Sequence, residues 1–198
     1  MKCHLNYCVP DITSSGMKQR TNFLGLTLDD TLTWNQHTDL LIKKMSSASY
    51  ALRQVKYTLT IDSLKIIYFA HVHSIMSYGV IFWGNSPSAK KVFKLQKKVI
   101  RIIANIGTRD SCKEIFKSLQ IMTLYSLYAY SIISFVVNNK HLFTVNNEIH
   151  KYNTRNNKNL HPASANLTKF IKGPYMSGIK AYKICHSFKK LRPKLIAF

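Results

Sequence analysis

The stretch HSIMSYGVIFWG, residues 73–84, sets a glycine on each side of a bulky aromatic and apolar cluster where a helical pattern ends. That pattern has a wide apolar stripe, typical of a helix that faces a core, formed by Leu64, Ile67, Tyr68, His71, Val72, Ile75 and Met76. Thr60 can cap the helix at its start. We interpret residues 78–84, the aromatic corner, as a fixed structural feature and assign Tyr78, Gly79, Trp83 and Gly84 to structure.

Helical patterns also lie on both sides of the corner. Upstream, Asn35 can cap a helix whose small or apolar residues have helical spacing at Leu41, Met45, Ala48, Leu52 and Val55. Downstream, a helix is expected between Pro87 and Gly107. Its core-facing residues would be Val92, Leu95, Val99, Ile102, Ile103 and Ile106. A short helix over 112–119 and a last one from Thr123 to about Val137 follow. The sequence therefore predicts a mainly α fold, an antiparallel helical bundle.

The two ends of the chain have a different character. Residues 23–28 form a β-compatible apolar run, which could pair as a hairpin with the alternating Leu5, Tyr7 and Val9. After Asn139, Asn, Lys and His dominate, which predicts a poorly ordered basic tail with short ordered pieces around 170–175 and 178–188. We thus expect a small β region over 1–34, a helical domain over 35–139 and the basic tail over 140–198.

The charge balance suggests the class of partner. The chain has 29 Lys and Arg against 8 Asp and Glu, a formal net charge of +21, and it also has many aromatic residues. A protein with so large a positive charge attracts polyanions. RNA and DNA are the polyanions that best match this combination of positive charge and aromatic residues. One helix carries a basic face opposite its apolar side: Lys90, Lys94, Lys97, Lys98 and Arg101, with support expected from Lys43, Lys44, Arg53 and Lys56. The alternative is a solvated charged surface with no ligand.

Other candidate sites are weaker. Asp29-Asp30 resembles a two-metal carboxylate pair, but it lacks the preceding aromatic residue and is interpreted as a turn before the next helix. Zinc would require ligands in two tight pairs, whereas Cys3-His4 with Cys8 and the distant Cys185-His186 do not form that pattern. His71 and His73 lie near an apolar helix face and are interpreted as structural. We predict no catalytic residue, metal or cofactor in this chain.

Targeting and redox signals point to an intracellular protein. The four cysteines are sparse and no secretory signal precedes them, which favours reduced thiols. No apolar run approaches the length of a membrane span, about 18–20 residues. We therefore expect a protein of the nucleus or cytoplasm that is not secreted. The oligomeric state is left open.

Several blocks, taken together and in order, resemble the reverse transcriptases of non-LTR (LINE-type, jockey-like) retrotransposons. They are Phe23-Leu24-Gly25-Leu26-Thr27-Leu28-Asp29, then Leu32-Thr33-Trp34 with His37, His73-Ser74 with Tyr78-Gly79 and Trp83-Gly84, Leu95-Gln96-Lys97-Lys98 with Arg101-Ile102-Ile103, and Tyr152-Asn153-Thr154-Arg155. The extreme C-terminus departs from the family, since Gly173-Pro174-Tyr175 only loosely echoes its usual ending.

The resemblance implies a location within a larger polymerase. Residues 1–34 would be the end of the palm around the primer grip, with Phe23, Gly25 and Trp34 structural, and residues 35–139 the thumb that holds the template–primer duplex. The Tyr-x-Asp-Asp carboxylates that bind Mg²⁺ in the parent enzyme are not in this sequence, so the chain alone is expected to be inactive. The alternative is a host-encoded basic helical module that binds nucleic acid or protein and is unrelated to polymerases.

Overall fold

The structure, a computed structural model, describes residues 21–150, 152, 155 and 157–191. Two strands come first, β1 Thr21–Phe23 and β2 Leu26–Leu28. The helices are α1 Asn35–Val55, α2 Ile61–Ile67, a π-helical segment Tyr68–His73, α3 Ser74–Ser77, α4 Val80–Trp83, α5 Ala89–Ile103, α6 Lys113–Ser118, α7 Leu124–Asn138, a 3₁₀ turn Lys140–Leu142, α8 Asn146–Ile149, α9 Thr168–Ile171 and α10 Pro174–Leu191. The strand predicted around Leu5–Val9 and the cysteines near the N-terminus lie outside the described residues.

The sequence pattern predicts a single strand over the apolar run 23–28. In the structure, this run is divided between the two strands of a hairpin. β1 pairs antiparallel with β2, with Thr21 opposite Leu28 and Phe23 opposite Leu26. Leu24 and Gly25 form the two-residue turn, and both have positive φ, 46° and 78°. Turns of this kind match the twist of paired strands, and glycine adopts that backbone conformation without steric cost. Gly25 is therefore the residue that splits the run.

Asp29 organises the loop between the hairpin and α1, in the turn predicted for Asp29-Asp30. Its carboxylate accepts hydrogen bonds from the Thr31 hydroxyl, from the Thr33 hydroxyl and amide, and from the Trp34 amide. Partial burial acts to raise the pKa of Asp29, but these hydrogen bonds outweigh it and hold the pKa below its ordinary value. They also hold Leu32 and Trp34 at positive φ. Trp34, and not Asn35 as predicted, is the residue that precedes the first turn of α1.

The long helices alternate in direction. α1 and α5 run the same way, because Asp39 pairs with Lys91 near both starts (3.6 Å) and Lys56 donates to Asn105 beyond both ends (3.1 Å). The stretch from α2 to α3, which lies between α1 and α5 in the sequence, runs in the opposite direction. It brings the aromatic corner back to the start of α1, where Phe82 stacks on Trp34. α7 runs against α5, since Leu124 at its start bonds to Gln96 in the middle of α5 and Tyr128, one turn later, lies against Gly84, which precedes α5. The described helices thus form the mainly α, antiparallel bundle that the sequence predicts.

Caps set several of the helix limits. Thr60 and Thr123 each accept a hydrogen bond from an amide three residues on, Ser63 and Ser126. The predicted cap at Thr60 is therefore confirmed, and Thr123, where the last helix was predicted to start, caps it as well. α5 ends at Ile103, and not at Gly107 as predicted. Asn105 takes positive φ there, and its amide and that of Ile106 bond back to Ile102 and Arg101. This is a Schellman-type ending in which Asn replaces the usual Gly.

The core follows a four-residue repeat through the π-helical segment. Leu64, Tyr68, Val72 and Met76 are all buried. In an ideal α-helix, residues four apart drift by about 40° per step around the axis. The i→i+5 bonding of a π-helix holds more residues in each turn and offsets this drift. These four residues therefore stay on one face of the helix and point into the bundle, whereas His71, which was predicted to belong to the same stripe, is exposed.

A buried glutamine joins three parts of the core. Gln96 of α5 is fully buried, and its Nε2 donates to the Tyr68 hydroxyl and to the Met122 carbonyl, both at 2.9 Å. Its Oε1 accepts from the Leu124 amide, also at 2.9 Å, at the first residue of α7. Burial raises the pKa of Tyr68 to about 12, which keeps this phenol neutral.

The C-terminal segment adds a second small core. Val136 of α7 packs with Phe143, Met176 and Ile179, which are all buried. The rings of Phe143 and Tyr175 stack at 4.7 Å. The ordered pieces predicted around 170–175 and 178–188 correspond to α9 and α10, and α10 extends further than expected. Among the described residues, the structure contains no helix with the length and apolar character needed to cross a membrane.

Candidate nucleic-acid interface

α5 presents its basic residues on the face opposite the core. Its buried residues include Val92, Gln96, Val99 and Ile103, which fix the helix in the bundle. On the outer face, Lys90, Lys94 and Lys98 are exposed, while Lys97 and Arg101 are half-buried. The helix contains no Asp or Glu. The five predicted residues thus lie on one rigid surface, which we call the α5 basic face.

Two of the five residues have contacts within the fold. The Arg101 guanidinium donates from Nε and Nη2 to the Asp110 carbonyl, at 3.0 and 2.9 Å, and so fixes the loop after α5. The Lys97 ammonium lies 4.9 Å from the centre of the Phe93 ring. Lys90, Lys94 and Lys98 are therefore the residues of this face best placed for phosphate, which requires only charge and reach.

The four supporting residues have different surroundings along α1 and at its end. Lys44 lies beside His37 and Tyr78, on the side of α1 that faces the hairpin and α3. Lys56 bonds to Asn105 and its ammonium lies 4.4 Å from the Tyr57 ring centre. Lys43 and Arg53 are exposed on α1. Lys56 lies just past Val55, the last residue of α1, so one of the four supporting residues is outside that helix.

The aromatic corner brings distant parts of the sequence together. Trp83 is fully buried and its Nε1 donates to the Tyr78 carbonyl at 3.1 Å. The Tyr78 hydroxyl donates to the Leu24 carbonyl in the hairpin turn, where it stabilises the unusual backbone of Leu24. Trp34 stacks on Phe82 with centroids 6.3 Å apart. The hairpin, the start of α1 and the corner therefore form one junction.

The corner depends on two close approaches. Gly79 has a φ of 60°, and a Cβ there would lie 2.6 Å from the Leu26 side chain. A Cβ on Gly84 would lie 2.6 Å from the Val80 carbonyl oxygen and from the Tyr128 ring. Both glycines fit the structural role predicted for them. Phe23, which was also predicted to be structural, exposes 60% of its surface, so its side chain contributes little to the junction.

His37 fixes the hairpin to α1 in its neutral form. The imidazole is buried, and its Nδ1 accepts a hydrogen bond from the Thr27 amide at 3.4 Å. Since Nδ1 accepts, the ring proton is on Nε2 in this arrangement. Burial lowers the pKa of His37, and the nearby Lys44 charge lowers it further. Protonation of Nδ1 would replace an acceptor by a donor and break the bond to Thr27.

We expect acid to destabilise this junction through His37. Because the folded pKa is lowered, the neutral ring stabilises the fold above the ordinary pKa of about 6.5, and this stability is lost as pH falls below it. His37→Gln, which keeps an acceptor for Thr27, should therefore reduce the fall in Tm between about pH 7.5 and 5.5. Exposed His71→Gln is the control and should leave that fall unchanged, and a wild-type-sized fall in His37→Gln would contradict the role of His37.

Comparison with protein-family models, with curated proteins and with solved structures gives no match to this chain. Within the described part of the chain, no group of His, Cys, Asp or Glu side chains is arranged to hold a metal ion. His73 packs against Phe69, with ring centroids 5.2 Å apart, and burial lowers its pKa, in keeping with the structural role predicted for it.

A second basic surface was missed by the sequence reasoning. An open groove of about 740 Å³ lies beside α5 and is bounded by the loop 109–112, α6 and the start of α7. Its cationic lining consists of Lys97, Arg101, Arg109, Lys113 and Lys117. We call it the basic groove. The sequence contained a signal, a rise in Arg and Lys over 109–117, but not the fold that sets these residues against α5.

Proposed function

We propose that the chain binds RNA, DNA or an RNA–DNA hybrid through the α5 basic face, by phosphate contacts that do not read the base sequence. The observation that carries this proposal is the set of exposed lysines on a helix whose other side is fixed in the core. From Lys90 to Arg101 the face extends about 16 Å at 1.5 Å per residue. A duplex strand presents a charge about every 3.4 Å along its axis, so several phosphates lie within reach.

The charge of the surroundings supports the same proposal. Lys91, next to this face, is paired with Asp39, but Lys90, Lys94 and Lys98 have no carboxylate on their own helix to neutralise them. The overall charge of +21 adds a long-range attraction for polyanions. A surface of this kind binds by releasing counterions, so its affinity depends on salt more than on sequence.

We further propose that the chain corresponds to the end of the palm, the thumb and the tail of a non-LTR retrotransposon reverse transcriptase. Its support is the order of the sequence blocks and the contact between three of them in the aromatic corner, at Leu24, Trp34 and Tyr78. The chain contains no Tyr-x-Asp-Asp sequence, so the Mg²⁺ chemistry of the parent enzyme would belong to another part of that enzyme. Such a role requires the nucleus or cytoplasm.

The expected outcome is binding without synthesis. On a primed RNA template with Mg²⁺, we expect the logarithm of the binding constant to fall with the logarithm of salt concentration, with a slope of about −2.7 for the three phosphate contacts of Lys90, Lys94 and Lys98. We expect no nucleotide incorporation above the background without protein. Fluorescence anisotropy measures the first and primer extension the second. A flat salt response would contradict phosphate binding, and clear incorporation would contradict the absence of a catalytic palm.

A further inference from the structure

The basic groove combines charge with an apolar lining. Phe116 and Ile121 are buried beneath it, Phe93 is half-buried, and Met122 exposes 40% of its surface. The α5 basic face has no such lining, since its outer residues are all Lys and Arg. The groove therefore offers a ligand two kinds of contact, with positive charges and with an apolar surface.

The charge of the groove is almost wholly positive. Asp110 is the acidic residue of its lining, and its carboxylate already accepts from the Gly107 amide at 2.8 Å. Lys117 pairs with the exposed Glu114 at 3.3 Å, a contact in solvent that holds the lysine weakly. Among the described residues, no carboxylate pairs with Arg109 or Lys113, so these two cations are available to an anionic ligand. The groove thus fits a polyanion that also carries flat apolar groups.

The groove is continuous with the α5 basic face. Lys97 and Arg101 belong to both surfaces, so positive charge extends without a gap from the outer face of the helix into the groove. A duplex hides the faces of its bases by stacking, and it can use the charges but not the apolar lining. A single strand exposes its bases and can use both kinds of contact.

We propose that the basic groove binds the single strand that continues from a duplex bound on the α5 basic face, so that the chain prefers a duplex–single-strand junction to a blunt duplex. This inference rests on the proposed function and names its substrate more narrowly. Lys113 and Lys117 contact phosphates of the single strand, and Met122 contacts a base. An acidic peptide would meet the same charges, but nothing would place it in continuity with α5.

The test compares a short blunt duplex with the same duplex extended by a single-stranded overhang. The overhang should tighten binding of the full chain by about fivefold or more, as expected for one base in contact with a side chain. Lys113→Gln with Lys117→Gln should remove most of this gain, reduce the salt slope for the overhang ligand by about 0.7 per lost contact, and leave blunt-duplex binding unchanged. Met122→Ala should reduce the gain with no change in slope.

Each result bears on the proposal. Lys65→Gln with Lys140→Gln, which removes the same charge elsewhere, should leave the gain intact, and circular dichroism checks that each variant is folded. Salt-dependent blunt-duplex binding with no gain from the overhang would overturn the junction proposal alone, and no binding to either ligand would overturn the proposed function as well. A poly-glutamate peptide that displaces the overhang ligand but not the blunt duplex would assign the groove to acidic proteins and overturn the proposal.

Discussion

Replacing Gln96 by Leu is expected to lower the free energy of unfolding by about 3–6 kcal/mol, because two buried polar groups and a partly buried one lose their partner at once. The groups are the Tyr68 hydroxyl, the Met122 carbonyl and the Leu124 amide, each 2.9 Å from the Gln96 amide. A buried donor or acceptor left without a partner costs about 1–3 kcal/mol, and a domain has about 5–15 kcal/mol in total. Leu is similar in size, so the loss reports hydrogen bonding more than a cavity.

The measurement is urea unfolding followed by circular dichroism. Lys98→Leu is the matched control, since it also introduces a leucine into α5, but at an exposed position. The free energy of unfolding is expected to change there by no more than about 0.5 kcal/mol. A Gln96→Leu variant as stable as the wild type would show that the network contributes nothing.

A double-mutant cycle isolates one bond of this network. Tyr68→Phe alone leaves a Gln96 donor without its partner and should cost about 1–2 kcal/mol. In the Gln96→Leu background the hydroxyl is already unpaired, so removing it should cost little or restore some stability. The two changes should therefore be less than additive. Strict additivity would contradict the bond between Gln96 and Tyr68.

The sequence predicted the helices well because their signals are local. Apolar spacing and the hydroxyl caps Thr60 and Thr123 depend on neighbours within a few turns, and the structure contains both caps. The aromatic corner was also recognised as structural from its two glycines. These features require no knowledge of what lies across the bundle.

The wrong predictions of helix and turn limits have two physical causes. Some backbone conformations go against the local preference of the residue, and some are stabilised by contacts with residues distant in the sequence. Leu24, Trp34 and Asn105 adopt a left-handed backbone that residues with a Cβ rarely take, so Gly107 and Asn35 appeared to be better signals for the limits of helices. The hydrogen bonds of Asp29 and Tyr78 hold two of these turns in place. Gln96 was overlooked because a polar residue beside lysines resembles part of a basic surface.

The candidate site was predicted in part for the same reason. Lys90, Lys94 and Lys98 follow from helical spacing along one helix. The position of Lys44 beside His37 and Tyr78, the contact of Arg101 with Asp110 and the basic groove all depend on how the helices pack. A charged face can be predicted from one helix, whereas the assembly of charges from several helices cannot.

The second large effect is expected on nucleic-acid binding. Changing Lys90, Lys94 and Lys98 together to Gln should weaken duplex binding roughly 100-fold at about 0.15 M salt and make the log–log salt slope less steep by about 2.7, since each phosphate contact contributes about 0.9. Lys97 and Arg101 are kept because their contacts with Phe93 and Asp110 belong to the fold. The three changed side chains are exposed, so Tm should change little.

The matched control distinguishes a binding face from net charge alone. Lys65→Gln, Lys140→Gln and Lys180→Gln together also remove three positive charges, but from α2, the 3₁₀ turn and α10. If the α5 basic face binds phosphate, this control loses far less affinity and keeps most of the wild-type slope. Equal losses in the two triple variants would mean that the duplex responds to the overall charge of +21, and the α5 basic face would then be a solvated surface without a specific role.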